Sequence, residues 1–239
     1  MIAVATALRQ LIARTDIVET RALVAASDAT ATFRILSLRA TATDQEVEAS
    51  VARDMQLMPN QMSTHWVDLQ VGGGDRMVYA VAWDRSLIGR IAEVVKSAGL
   101  EVAAVDLKSA CIARMAAVPS SVVVDISSDP AEALLIDNHV PRLWHSFPLD
   151  VLSDNLESAL AGPLRSVLKY YNRNRAQKFG RDEPIFISGE QLISPATLSG
   201  LADRLGHQVH QLPLPARVPP EVRHGTFLTC LGLIMRRTV

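Results

Sequence analysis

The stretch from Ser121 to Leu212 constrains this chain more than any other. It opens on a β-branched run, Ser121 to Ile126, and two more strand-like runs follow at once, Ala131 to Asp137 and Leu143 to Phe147, with short turns at Asn138-His139 and near Pro148. Strands this closely spaced fold back on one another as a meander, since a parallel return needs a crossover of a dozen residues or more. The pattern then becomes helical over Ser153 to Phe179, strand-like over Pro184 to Ser188, helical over Pro195 to Leu205 and strand-like again over Gln208 to Leu212. Each of these later strands has a helix before it, so each can join the sheet in parallel. A proline-rich link, Pro213 to Pro220, leads to a last helix ending at Arg236. The expected fold class is α/β, with βα units added to a three-stranded meander.

The first half follows another rhythm. Val4, Ala7, Leu8, Leu11 and Ile12 recur at helical spacing over Ala3 to Arg14, and Thr20 to Ala26 reads as a short strand. Phe33 to Leu38 alternates as a strand. Thr43 with Glu46 three residues on predicts a capping box for a helix over Asp44 to Leu57. Two strands, Thr64 to Val71 and Arg76 to Ala82, flank a Gly72-Gly73-Gly74-Asp75 turn. Asp84 is placed to cap a helix running to Ala98, Gly99 to stop it, and Leu100 to Val105 to form a further strand. The order strand, helix, strand, strand, helix, strand predicts a small α+β (βαββαβ) unit, and a helix over Lys108 to Ala117 leads out of it.

Composition excludes several functions. The formal net charge is −1 and no block of like charges stands out, so the total gives no hint of the basic face that a nucleic-acid binder usually shows. Charged or polar residues interrupt every apolar run before it reaches the ~18 residues of a membrane span. The apolar start of the chain reads as a helix and not a secretory signal, because its arginines come after the apolar run. The two cysteines, Cys111 and Cys230, both sit in apolar helical stretches, which fits a reducing cytoplasm without disulfides.

Two turns merit a chemical reading. Asp125-Ile126-Ser127-Ser128 closes the first strand of the meander, where small residues would let backbone N–H groups approach a phosphate. Ser127 stands where glycine is wanted, Asp129 adds negative charge and Pro130 removes a donor, so a plain polar turn is the competing reading. Ser188-Gly189-Glu190 follows a later strand, where a nucleoside would need bare backbone, yet only one glycine is present. His207-x-x-His210 spans a strand start, where residues three apart point to opposite faces, and His139 and His145 have no carboxylate or thiol companions; no metal site is expected. Nothing resembles a nucleophile elbow. The cations between Lys169 and Lys178 read as a solvated helix end rather than a site for an acidic partner or lipid.

In order along the chain, Phe33-Arg34-Ile35-Leu36-Ser37-Leu38, the acidic helix start Asp44-Gln45-Glu46-Val47-Glu48, Met58-Pro59, Trp66-Val67-Asp68-Leu69-Gln70-Val71, Val78-Tyr79-Ala80-Val81-Ala82, Ala98-Gly99-Leu100-Glu101-Val102, Val105-Asp106 and Leu228 to Arg237 resemble the type IV pilus assembly protein PilM family, relatives of the actin-like protein FtsA. The resemblance implies an actin-like (ribonuclease-H-like) fold with an inserted α+β subdomain. It implies residues 1–32 as a remnant of the first half-domain, 33–107 as the insertion, and 108–239 as a linking helix and the second half-domain. The family's N-terminal meander, with its first phosphate loop, precedes the helix at which this chain starts. The resemblance also implies a non-catalytic cytoplasmic scaffold, peripheral to the inner membrane. Such a scaffold would hold the N-terminal tail of a PilN-like partner in a groove near Leu23–Ala26, Val47–Met55 and Phe33–Leu38, and would communicate with a pilus motor ATPase. Asp125, Ser127, Ser128 and Gly189 are then the remains of a degenerate nucleotide site, and no cofactor is expected. The alternative is a nucleotide-dependent actin-like ATPase binding ATP and Mg²⁺.

Overall fold

The computed structural model describes residues 2–15, 17–56, 61–69, 74–127, 130–149, 155–173, 178–189, 193–213 and 224–236. The chain divides into two compact units, Met1–Leu107 and Lys108–Val239. Met58-Pro59, the Gly72-Gly73 part of the hairpin turn, most of the proline-rich link and the extreme C-terminus lie outside the described residues.

The first unit contains α1 (Ile2–Arg14), β1 (Arg21–Ala26), β2 (Ala31–Arg39), α2 (Asp44–Asp54), β3 (Met62–Leu69), β4 (Asp75–Asp84), α3 (Arg85–Ser97) and β5 (Glu101–Leu107). The local signals hold. Thr43 and Glu46 form the capping box of α2, with the Thr43 N–H donating to Glu46 Oε2 at 2.8 Å. Asp84 caps α3 by accepting from the Ser86 N–H at 2.7 Å, and Gly99 leaves the helix at φ +94°. Strands β2, β4 and β3 form an antiparallel sheet in that order. Period-two alternation sends Leu36, Val78 and Ala80 to one face, where they pack on Val47 and Val51 of α2. Phe33, Ile35, Tyr79 and Val81 therefore share the other face. The Arg76 guanidinium ties this sheet to α2: it holds Asp68 in a bidentate pair at 2.7 and 2.9 Å, reaches Asp44 at 2.8 Å and the Ala42 carbonyl at 2.6 Å, and lies over the Trp66 ring.

The last strand of the expected βαββαβ order takes a partner outside the insertion. β5 pairs in parallel with β1, from Arg21↔Glu101 to Ala26↔Leu107. A parallel pair needs a long crossover, and everything from β2 to α3 supplies it.

The second unit contains α4 (Lys108–Met115), β6 (Ser121–Asp125), β7 (Ala131–Asp137), β8 (Val140–Phe147), α5 (Leu156–Arg173), β9 (Ile185–Ser188), α6 (Pro195–Leu205), β10 (Val209–Gln211) and α7 (His224–Ile234). Its sheet runs β10-β9-β6-β7-β8, with β6, β7 and β8 as the antiparallel meander and β9 and β10 added in parallel. The β7–β8 turn has Asn138 at φ 53° and His139 at φ 62°, the two left-handed residues of a type I′ hairpin. Val122, Val124 and Ile126 face α5 and α6, with Leu160, Leu164, Val167 and Leu201 in the shared core. Val123, Leu134 and Phe186 face α4 and α7, against Ile112, Met115 and Leu228. Along β6, Asp125 alternates onto the same face as Val123, the α4 face.

Candidate functional site

The pairing of β6 with β9 brings the two candidate turns together. Asp125 is in register with Ser188, and the Ile126 N–H donates to the Ser188 carbonyl at 2.8 Å. Ser127 and Gly189 therefore both leave the carboxyl ends of neighbouring parallel strands, the edge where open α/β sheets place their ligands. Ser128 and Glu190 lie outside the described residues.

What surrounds these turns decides what they can do. β7 places Glu132 directly opposite Asp125. Like charges facing each other across a ladder repel, and Asp125 is only 2% exposed. Lys108, the first residue of α4, answers both. Its Nζ lies 2.9 Å from Asp125 Oδ2 and 2.6 Å from Glu132 Oε2. Burial works against the charge on this lysine, but Asp125 and then Glu132 outweigh it and raise its pKa. A lysine at the first turn of a helix also opposes the helix dipole, so the carboxylates hold it where the helix alone would not. The other Asp125 oxygen, Oδ1, accepts from the Ser127 N–H at 3.0 Å and from the Ser127 hydroxyl.

Gly189 is equally committed. A Cβ built there would lie 2.5 Å from Ile126 Cγ1 and 3.1 Å from its Cδ1. The bare backbone that a nucleoside would have used is covered by the isoleucine that follows Asp125. On the far side of Asp125 the Ser188 hydroxyl is fully buried and has no hydrogen-bond partner among the described residues.

Sequence reasoning brought out Asp125, Ser127, Ser128 and Gly189, the third of which lies outside the described residues; it quoted Ile126 and Ser188 within the two turns without giving them a role, and it missed Lys108 and Glu132. One signal for Lys108 was available, a cation at a helix start. Among the described residues no three His, Cys, Asp or Glu side chains are placed to hold a metal. His207 Nδ1 contacts the Glu183 carbonyl and His210 Nε2 the Gln208 side chain.

A second feature lies in the first unit. A cavity of about 420 Å³ is lined by Leu36–Arg39 of β2 and by Glu46, Ala49, Ser50, Arg53 and Asp54 of α2, with Ala42 between them. The β2 and α2 stretches expected to line a groove are there, whereas Leu23–Ala26 is not part of its wall. β2 is an edge strand of its sheet.

No protein-family model matches the chain, and no curated protein does. Solved structures do. One is the PilM-PilN type IV pilus biogenesis complex, 18% identical, covering 97% of this chain and 83% of that one with a TM-score of 0.70. Another is the cytoplasmic domain of EpsL, an inner membrane component of the type II secretion system of Vibrio cholerae, 11% identical, covering 98% and 82% with a TM-score of 0.56. A third, from Bacteroides thetaiotaomicron, is a protein with actin-like ATPase fold and unknown function, 12% identical, covering 95% and 81% with a TM-score of 0.46. The fold is the actin-like one with an α+β insertion, and the resemblance to PilM drawn from the sequence is met in three dimensions. Among the described residues no helix is long and apolar enough to cross a membrane.

Proposed function

We propose that the chain is a non-catalytic scaffold of a type IV pilus or related secretion platform, peripheral to the inner membrane, that holds the cytoplasmic tail of a PilN-like partner. The observation that carries the non-catalytic reading is the Lys108 ion pair. A nucleotide with its Mg²⁺ needs a carboxylate with lone pairs to spare and backbone N–H groups aimed at phosphate. Here Lys108 takes one Asp125 oxygen, Ser127 takes the other and turns its N–H inward to do so, and Ile126 covers Gly189. These residues do not fit ATP and Mg²⁺.

The platform reading is supported by the fold shared with the PilM-PilN complex and with EpsL. The edge of β2 beside the cavity supports tail capture. An extended peptide can add to a free strand edge through main-chain hydrogen bonds while its side chains enter the neighbouring recess. A motor ATPase is a natural second partner of such a platform.

The test is calorimetric titration with synthetic tails, the first residues of each single-span membrane protein encoded beside this gene. One of them should bind with Kd in the tens of micromolar, about −6 kcal/mol. If none binds, the scaffold reading is lost. The ATPase alternative rests on the Ser188 hydroxyl, which has no hydrogen-bond partner among the described residues. It predicts stabilisation by ATP·Mg²⁺ of about 2.7 kcal/mol at a hundredfold Kd, whereas the scaffold reading predicts an unchanged melting temperature at millimolar ATP.

A further inference from the structure

The second unit carries a charge pattern that its core and its turns leave unused. Residues 165–181 hold six cations, Arg165, Lys169, Arg173, Arg175, Lys178 and Arg181, and no acid. The sequence pattern alone reads them as a solvated helix end, and the structure adds where they point. α5 buries Leu160, Leu164, Val167, Leu168 and Tyr171 in the core. Its opposite face is Gly162, Arg165, Ser166, Lys169, Tyr170 and Arg173, all exposed. Three cations thus follow one another at i, i+4 and i+8 along one stripe.

Two further cations join the end of the stripe. Asn172 of α5 clasps the returning chain: its Oδ1 accepts the Phe179 N–H at 2.7 Å, and its Nδ2 donates to the Phe179 carbonyl at 3.3 Å. Lys178, exposed, therefore sits beside the last turn of α5, and Arg181, also exposed, follows two residues after Phe179. Arg175 lies outside the described residues. Among the described residues none of these five cations is paired with a carboxylate; Arg165 donates instead to the Arg204 carbonyl, at 3.2 Å. The helix dipole accounts for Arg173 alone, since its pull fades beyond the last turn. Like charges four residues apart repel, so Arg165, Lys169 and Arg173 weaken the helix that carries them. A helix face that serves solvation alone interleaves acids, which this one lacks.

We propose that this face of α5 rests on a membrane surface of anionic phospholipid. Long cationic side chains on a convex helix meet headgroup phosphates without a fitted recess. Tyr170, 61% exposed beside them, is of the type enriched at membrane–water interfaces. An acidic protein fits the face less well. Protein interfaces carry an apolar core inside a polar rim, and Tyr170 is the one large apolar side chain on this face of α5. The proposal rests on the reading that the chain works at the inner membrane. It makes that placement a direct contact and not one through the partner's tail alone.

The experiment is flotation of the full chain, without any tail peptide, with vesicles of phosphatidylcholine alone or of equal parts phosphatidylcholine and phosphatidylglycerol. The chain should float with the anionic vesicles at about 0.1 M salt and stay behind with the neutral ones. It should come off at about 1 M salt, where the screening length falls from about 10 Å to about 3 Å. Each cation near an anionic surface is worth about a fivefold change in partitioning, so Arg165→Gln, Lys169→Gln and Arg173→Gln together should weaken binding about a hundredfold. The control triple Arg14→Gln, Arg21→Gln, Arg90→Gln removes the same net charge from the first unit and should bind as the parent does. So should Arg165→Lys with Arg173→Lys, because diffuse lipid charge does not require the planar fork of arginine. Salt and lipid composition act on the parent alone, which keeps the test sound where a variant melts lower. Equal binding to both kinds of vesicle, no binding to the anionic ones, or equal loss in the two glutamine triples overturns the proposal. So does capture by poly-glutamate, lost in the α5 triple, of a chain that anionic vesicles do not hold, which assigns the face to an acidic protein. Vesicle binding by a chain that captures no tail would remove the tail reading and leave this proposal standing, and tail binding without vesicle binding would do the reverse.

Discussion

Replacing Lys108 by Met removes one charge and almost no volume, so its effect isolates the ion pair. Asp125 has 3% of its side chain exposed and Glu132 11%, against 18% for Lys108. Without the ammonium, two carboxylates in direct register on β6 and β7 are left facing each other with little water to screen them. Breaking a buried pair by deleting one partner costs about 3–5 kcal/mol. For a chain of this length each kcal/mol moves the melting temperature by about 2–4 °C, so Lys108→Met should melt roughly 6–20 °C lower by scanning calorimetry. The triple variant Lys108→Met, Asp125→Asn, Glu132→Gln removes all three charges and should recover at least half of that loss, since a buried ion pair is often worth no more than a neutral replacement. The pH dependence has a definite sign. Lys108 has a raised pKa in the folded chain, so its contribution is complete below the ordinary lysine pKa of about 10.4. It is lost as the pH climbs past that value and through the raised folded one. The parent should therefore lose stability in strong alkali more steeply than the triple variant. A Lys108→Met cost under about 1 kcal/mol, or a triple variant no more stable than the single one, would refute the view that this lysine neutralises the site.

Three further substitutions probe how the surroundings were built. Gly189→Ala forces a Cβ to within 2.5 Å of Ile126 Cγ1 and should cost about 1–3 kcal/mol in urea unfolding. In an Ile126→Ala background it should be close to neutral, and a neutral effect in the parent would show that the glycine's bare face is open after all. Gly232→Ala places a Cβ onto the Cys111 carbonyl where α7 crosses α4. Backbone cannot step aside, so about 3 kcal/mol should be lost together with the Arg114 hydrogen bond to the Gly232 carbonyl. Thr43→Ala breaks the capping box of α2 and should cost about 1 kcal/mol in the same assay.

The elements of this chain were largely legible in its sequence, and the contrast between those that were and those that were not has a physical cause. Thr43 with Glu46, Asp84 before α3 and Gly99 after it all act within four residues of themselves. A capping bond or a positive φ is decided by local geometry, so the local sequence declares it. The meander of β6, β7 and β8 declared itself for a related reason: its connections are too short for any other pairing. The partner of β5 did not. Glu101–Leu107 has the composition of a strand wherever it pairs, and only the length of the excursion from β2 to α3 makes β1 available to it.

The site was half visible for the same reason. Asp125 and Gly189 stand out because turns with small residues after strands have a known chemistry. Whether that chemistry is available is decided by register, which no local pattern encodes. Register puts Glu132 opposite Asp125 and so creates a repulsion that some cation must relieve. It also lays Ile126 over Gly189 and so uses up the space the glycine leaves. Lys108 is the one residue that betrayed this arrangement in advance, as a cation at a helix start, where the dipole disfavours it. The informative anomaly is a polar group whose local setting gives it no reason to be there, and the reason is found across the sheet.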